Sequence, residues 1–96
     1  MYKAVIAGYS RSPFTIAKKG GLASVKPNNL LSGVIKDLIL KSKVNPDDIE
    51  DVIVGCAFPE GEQGFNIGRI VTFLSGMNIK TAGMTVNRWC GSSMES

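Results

Sequence analysis

Cys56 and Cys90 are the only thiols in this chain, and no histidine stands anywhere in its 96 residues to activate them. Without an imidazole the chain lacks the commonest general base and the commonest metal ligand. Two cysteines fall short of a four-thiolate zinc or iron–sulfur site. The residue types therefore argue against a four-cysteine metal site and leave Cys90 as the best candidate for chemistry. Cys90 follows the strand-like run Met84–Trp89 and precedes Gly91-Ser92-Ser93, small residues suited to a tight strand-to-helix turn. A thiol at the amino end of a helix faces free backbone N–H groups and the positive end of the helix dipole. Both favour the reactive thiolate, and the same N–H groups can donate to an oxyanion. On residue types alone a second reading of Cys90 stays open, a small thiol packed in the core, where free cysteine is commonly found. Cys56 lies inside the apolar run Val52–Ala57 and reads as such a core thiol.

The elements that must position Cys90 follow from the pattern of apolar residues. Tyr2–Tyr9 is short, apolar and contains Val5 and Ile6, so it reads as a buried strand ended by Gly8 and Pro13. Residues 14–27, with Lys18-Lys19-Gly20-Gly21 and Pro27, read as a loop. Asn28 or Asn29 is the expected cap of an amphipathic helix in which Leu30, Leu31, Val34, Ile35, Leu38 and Ile39 recur at helical spacing, with Lys41 and Lys43 near its end. Asn45-Pro46-Asp47-Asp48 reads as one helical turn, capped by Asn45 with Pro46 at its first position. A second strand covers 52–57. Asn66 is the expected cap of a helix carrying Ile67, Ile70, Val71 and Leu74, which Gly76 and Asn78 would stop. A third strand is expected over 84–89, with Trp89 packed rather than contacting ligand.

Strand, helix, strand, helix, strand, then the start of a helix at Cys90 predicts an α/β fold with a mostly parallel sheet. We read residues 1–96 as a single partial domain, because a helix beginning at Cys90 would have almost no length. Composition agrees with a globular chain: 44% apolar and 20% charged residues exclude a disordered or collagen-like polymer. The net charge of +3 comes from scattered Lys and Arg rather than from a basic patch, so no nucleic-acid partner is expected. Gly61-Glu62-Gln63-Gly64 has the bare spacing of an RNA-binding GxxG loop, but Glu62 is acidic and no basic residue flanks it. Lys18-Lys19-Gly20-Gly21 lacks the spacing and hydroxyl residue of a phosphate loop. The longest apolar runs, such as Ala4-Val5-Ile6-Ala7, are too short to span a membrane, and no secretory leader pattern opens the chain. Reduced thiols in a cytoplasmic setting are the expectation.

Thr85-Val86-Asn87-Arg88-Trp89-Cys90-Gly91-Ser92-Ser93-Met94 resembles the nucleophile segment of the thiolases, most closely the degradative 3-ketoacyl-CoA type. Other segments agree in order and distance. Arg11-Ser12-Pro13-Phe14 resembles the motif after the family's first strand, Asp47–Gly55 its entry to the second strand, and Glu62–Arg69 the loop and helix that follow. The resemblance covers essentially the whole chain. It implies that Cys90 accepts an acyl group from a 3-ketoacyl-CoA and passes it to coenzyme A, with CoA thioesters as substrates and no cofactor. It also implies a role in fatty-acid breakdown, a homodimer or larger assembly built around the third strand, and a 61–64 loop near the active site. Arg69 is expected to hold structure or an interface. The family's activating histidine, second catalytic cysteine and asparagine-containing motif belong to later segments with no counterpart here, so the 96 residues alone are expected to be inactive. Glu95 stands where related enzymes carry glutamine. The competing expectation is a non-enzymatic remnant acting as a dimerising scaffold.

Overall fold

A computed structural model describes residues 1–96. Helix α1 runs Pro27–Ser42, strand β1 Asp51–Gly55, helix α2 Ile67–Leu74, strand β2 Ala82–Val86, and helix α3 Ser92–Glu95; single 3₁₀ turns cover Pro46–Asp48 and Gly61–Gln63. The two strands pair in parallel, Asp51 opposite Ala82 through Gly55 opposite Val86, with α2 in the connection between them. The α/β class read from the sequence is therefore the observed one. No helix is long and apolar enough to cross a membrane.

Helix α1 opens two residues earlier than a cap at Asn28 allows, and three earlier than one at Asn29. Pro27 takes the first helical position, and Lys26 before it is the cap, held extended at φ −68°, ψ 136°. A proline ring excludes the helical region for its predecessor, so the boundary falls at Lys26 rather than at Asn28 or Asn29. The helix ends where Lys43 turns left-handed. The turn at 46–48 forms as its sequence predicts, with the Asn45 side chain accepting the Asp47 N–H at 3.1 Å.

The expected first strand does not form: residues 2–9 pair with nothing, and Tyr2, Val5 and Ile6 are exposed. Apolar, β-branched residues supply strand propensity, but a strand exists only where a neighbouring ladder accepts it. This segment is instead tied to α1 at its far end, where the Ser10 hydroxyl donates to Asp37 Oδ2 at 2.5 Å.

The core is small. Cys56, Ile67 and Val71 are its buried apolar residues, with Leu31, Ile35, Val52 and Val54 packed around them. Close backbone approach supplements it. A Cβ on Gly83 would lie 2.7 Å from the Arg69 Cα, and one on Gly68 would run into the Met84 carbonyl. The two glycines thus let α2 rest directly on β2. Arg69 fastens the same junction from outside: its guanidinium donates to the carbonyls of Thr81 and Ile79 and lies 4.3 Å over the Phe73 ring. The structural role expected of Arg69 is the one it has.

Candidate active site

The site is assembled where β2 ends. The ladder closes with the Cys56 N–H donating to the Val86 carbonyl at 2.9 Å, and the chain then leaves the sheet in three steps. The Asn87 side chain accepts the Trp89 N–H at 2.9 Å, a local turn that asparagine forms readily. Trp89 takes a left-handed conformation at φ 49°, which for a bulky non-glycine residue costs on the order of 1–2 kcal/mol. The Gly91 and Ser92 N–H groups then donate to the carbonyls of Arg88 and Trp89, at 3.0 and 3.2 Å, and the chain enters α3 with Gly91 as its cap.

Cys90 sits on this turn and is exposed, whereas Cys56 is buried. The two readings of Cys90 left open by residue type are thereby separated: its thiol is outside the core, one residue ahead of the α3 cap. Cys56 is the core thiol its position in the apolar run predicted. A strand over 84–89 is corrected to Ala82–Val86, and the Trp89 ring is not buried but 66% exposed. The left-handed kink turns that side chain out of the sheet, so strand alternation no longer governs where it goes. Its remaining packing is edge-on against Phe58, with centroids 5.6 Å apart. Phe58 in turn is tied to the 61–64 segment through its carbonyl, which accepts from Gln63 Nε2 at 3.0 Å. The loop after β1 therefore borders the Cys90 turn, in keeping with what the thiolase resemblance implied.

Three further residues shape the site and were not singled out as functional from sequence. Ser92 is 3% exposed; its hydroxyl accepts the Arg88 N–H at 2.9 Å and donates to the Trp89 carbonyl at 2.6 Å. Gly55 lies beneath it: a Cβ there would stand 2.5 Å from the Ser92 carbonyl carbon and 2.6 Å from its oxygen. Only a residue without a side chain lets β1 and α3 approach so closely. Asn66, the expected cap of α2, holds the cap position with left-handed backbone but makes no side-chain cap bond. Its amide reaches across to β2, donating to the Gly83 carbonyl at 3.1 Å and accepting from the Thr85 hydroxyl at 2.7 Å. Thr85 Oγ1 in turn accepts the Gly68 N–H at 3.1 Å, an end of α2 satisfied by a neighbouring strand. The asparagine-to-threonine distance in sequence hides this network; the Asn87-to-Trp89 spacing was the one local signal available.

Glu95 has a partner. Its carboxylate lies 3.4 Å from the Arg88 guanidinium, bracing the two ends of the Cys90 turn across solvent. Both side chains are about half or more exposed, so the pair contributes at most about 1 kcal/mol.

An exposed cysteine on a kinked strand-to-helix turn, its backbone held by neighbouring hydroxyl and amide groups, defines a candidate thiol nucleophile in an α/β scaffold. The model of the thiolase N-terminal domain matches residues 4–96, and the chain belongs to the thiolase family. It is 40% identical over 96 residues to the 3-ketoacyl-CoA thiolase of Bacillus subtilis, an alignment covering all of this chain and 25% of that protein. The chain thus spans about a quarter of the length of the curated relatives it matches. Among solved structures, the acetyl-CoA acetyltransferase from Syntrophomonas wolfei superposes with a TM-score of 0.85 at 27% identity, covering 95% of this chain and 22% of that one. The Acat5 thiolase from Ascaris suum, solved in complex with coenzyme A, superposes at 0.78 with 28% identity, over 93% of this chain and 22% of that one.

Proposed function

We propose that this chain supplies the acyl-accepting nucleophile of a thiolase-type acyltransferase, and that Cys90 is that nucleophile. The observation that carries the proposal is the exposure of Cys90 on the turn between β2 and α3, in a chain whose residues 4–96 match the thiolase N-terminal domain. In the thiolysis direction the Cys90 thiolate bonds to the ketone carbon of a 3-ketoacyl-CoA. The bond between that carbon and the neighbouring methylene breaks, and its electron pair departs with acetyl-CoA, which takes up a proton. The acyl group, now a thioester on Cys90, is transferred to the thiol of a second coenzyme A, and the Cys90 thiolate is released. Run backwards, the same steps condense two acyl-CoAs. This is covalent catalysis in two half-reactions, with coenzyme A as substrate.

The chain contains no histidine to take or give the protons these steps require. Sustained thiolysis is therefore not expected of the 96 residues by themselves; the step left to them is a single acylation of Cys90. A homo-oligomer is part of the proposal. Ile53 and Met84 are opposed across the strand pair and each remains 43% exposed, an apolar pair suited to cover by another surface.

The test is to incubate the chain with acetoacetyl-CoA and locate acylation by peptide mass spectrometry, following loss of the ketoacyl absorbance after coenzyme A is added. Acylation of Cys90 but not Cys56, abolished by Cys90→Ser and unaccompanied by continued turnover, is the expected result. No acyl adduct on Cys90 would overturn the nucleophile assignment and favour the scaffold reading. Turnover at the rate of a complete thiolase would overturn the claim that the base is missing.

A further inference from the structure

We propose that Ser92 is a positioning residue for Cys90, its hydroxyl locking the left-handed turn at Trp89 that presents the thiol; the proposal rests on the nucleophile reading of Cys90. Between the end of β2 and the start of α3 the backbone groups of Arg88 and Trp89 have left the sheet ladder. One buried hydroxyl serves two of them at once. Ser92 Oγ accepts the Arg88 N–H at 2.9 Å, and its O–H donates a hydrogen bond to the Trp89 carbonyl at 2.6 Å. The peptide segment flanking Trp89 is clamped on both sides, so the unfavourable φ of 49° is over-determined rather than free to relax. Cys90 is the next residue, and its exposed position follows from that kink.

The side chain at this position must satisfy three demands together. It must donate, it must accept, and it must be short, because Ser92 is 3% exposed and its backbone lies against Gly55. Alanine meets only the last. Threonine keeps the hydroxyl and adds one methyl. The chain's single tryptophan is Trp89 itself, so the state of the turn is directly visible in its fluorescence.

The experiment compares the unaltered chain with Ser92→Ala and Ser92→Thr by three readouts. These are the rate of Cys90 alkylation by iodoacetamide, the acrylamide quenching of Trp89 emission, and the thermal melting curve, with acylation by acetoacetyl-CoA measured alongside. Ser92→Ala is expected to melt cooperatively, to alkylate Cys90 at least tenfold more slowly, and to show a changed Trp89 quenching constant. Ser92→Thr is expected to stay within threefold of the unaltered chain in both Cys90 and Trp89 readouts. A folded Ser92→Ala variant with Cys90 alkylation within twofold and unchanged Trp89 quenching overturns the proposal. If Ser92→Ala does not fold, the threonine variant decides: a folded Ser92→Thr chain that loses tenfold in alkylation overturns it, and one that retains the rate supports it. Failure of the unaltered chain to acquire an acyl group would instead sink the nucleophile reading, and the alkylation and fluorescence arms would still judge the turn.

Discussion

Gly55→Ala tests whether the Cys90 turn depends on backbone contact between β1 and α3. A Cβ at this position would lie 2.5 Å from the Ser92 carbonyl carbon and 2.6 Å from its oxygen. Ordinary contacts of that kind are about 1 Å longer, and the obstacles are backbone atoms that no rotamer change can move aside. Relief requires the first residues of α3 to lift from β1 by about that distance. Overpacking of this kind costs about 1–3 kcal/mol, and the stiffening of the unfolded chain by alanine returns about 0.4–1 of it. A net loss of about 1–2 kcal/mol corresponds to a fall in melting temperature of roughly 5–15 °C for a domain of this size. Because the lifted residues include Ser92, the Cys90 alkylation rate should change with it while buried Cys56 stays protected. The control is Gly33→Ala: Gly33 is within α1, exposed, and a Cβ there meets nothing within 4 Å. That change should stabilise by about 0.5–1 kcal/mol, as alanine does in a helix interior. The measurement is thermal melting followed by circular dichroism, with iodoacetamide kinetics on the same samples. A Gly55→Ala chain that melts no lower than the unaltered one, with Cys90 reacting at the same rate, would refute the reasoning.

Arg69→Met should lower stability by about 1–3 kcal/mol, because the carbonyls of Thr81 and Ile79 lose a charged donor and Phe73 loses the guanidinium above it. Urea denaturation checks this, and an unchanged midpoint would remove Arg69 from the structural account. The exposed pair of Asp37 and Lys41, 2.8 Å apart one helical turn from each other, carries a pH signature. Hydrogen bonds from Lys41 and Ser10 hold the Asp37 carboxyl below the usual carboxylate range, and the bond to Asp37 holds the Lys41 ammonium above its usual range. The Asp37 contribution is thus present above about pH 4 and is lost as pH falls through its lowered value. The Lys41 contribution is present below about pH 10 and is lost as pH rises through its raised value. Asp37→Asn should accordingly destabilise α1 slightly at neutral pH and not at all in strong acid, and about 1 M salt should shrink the difference. Equal melting shifts at pH 7 and pH 2 would contradict this.

The parts of the fold legible in sequence were those decided locally. Leu31, Ile35, Ile67 and Val71 repeat at helical spacing and sit in or against the core. Asn45-Pro46 forms the turn its chemistry prescribes. What escaped was decided by partners distant in sequence. Tyr2–Tyr9 has strand composition but no ladder to join. The paired strands start at Asp51 and Ala82, earlier than the apolar runs, because register is set by the opposite strand and not by hydrophobicity. At the site, the small residues after Cys90 made it a candidate, and only the resemblance of residues 85–94 to the thiolase nucleophile segment singled it out. Ser92 could not be told from Ser93 by type; only the turn, which brings its hydroxyl onto Arg88 and Trp89, separates them.

A chain with three buried apolar residues can still hold a strained turn. Side-chain burial on this scale is too small to over-determine the left-handed Trp89 by packing alone, and its ring is mostly in solvent. The rigidity comes from backbone lying on backbone. Gly68 and Gly83 let α2 settle onto β2, which fixes where the strand ends. Gly55 lets α3 settle onto β1, which fixes where the next helix begins. Val86 and Ser92 are then anchored by different glycine contacts, and the residues between them must span a set gap. Hydrogen bonds from Asn87 and Ser92 choose one path across it. The exposure of Cys90 is accordingly a property of the two anchored ends, and changes at Gly55 or Ser92 should alter its chemistry more than changes to the neighbouring exposed Met94.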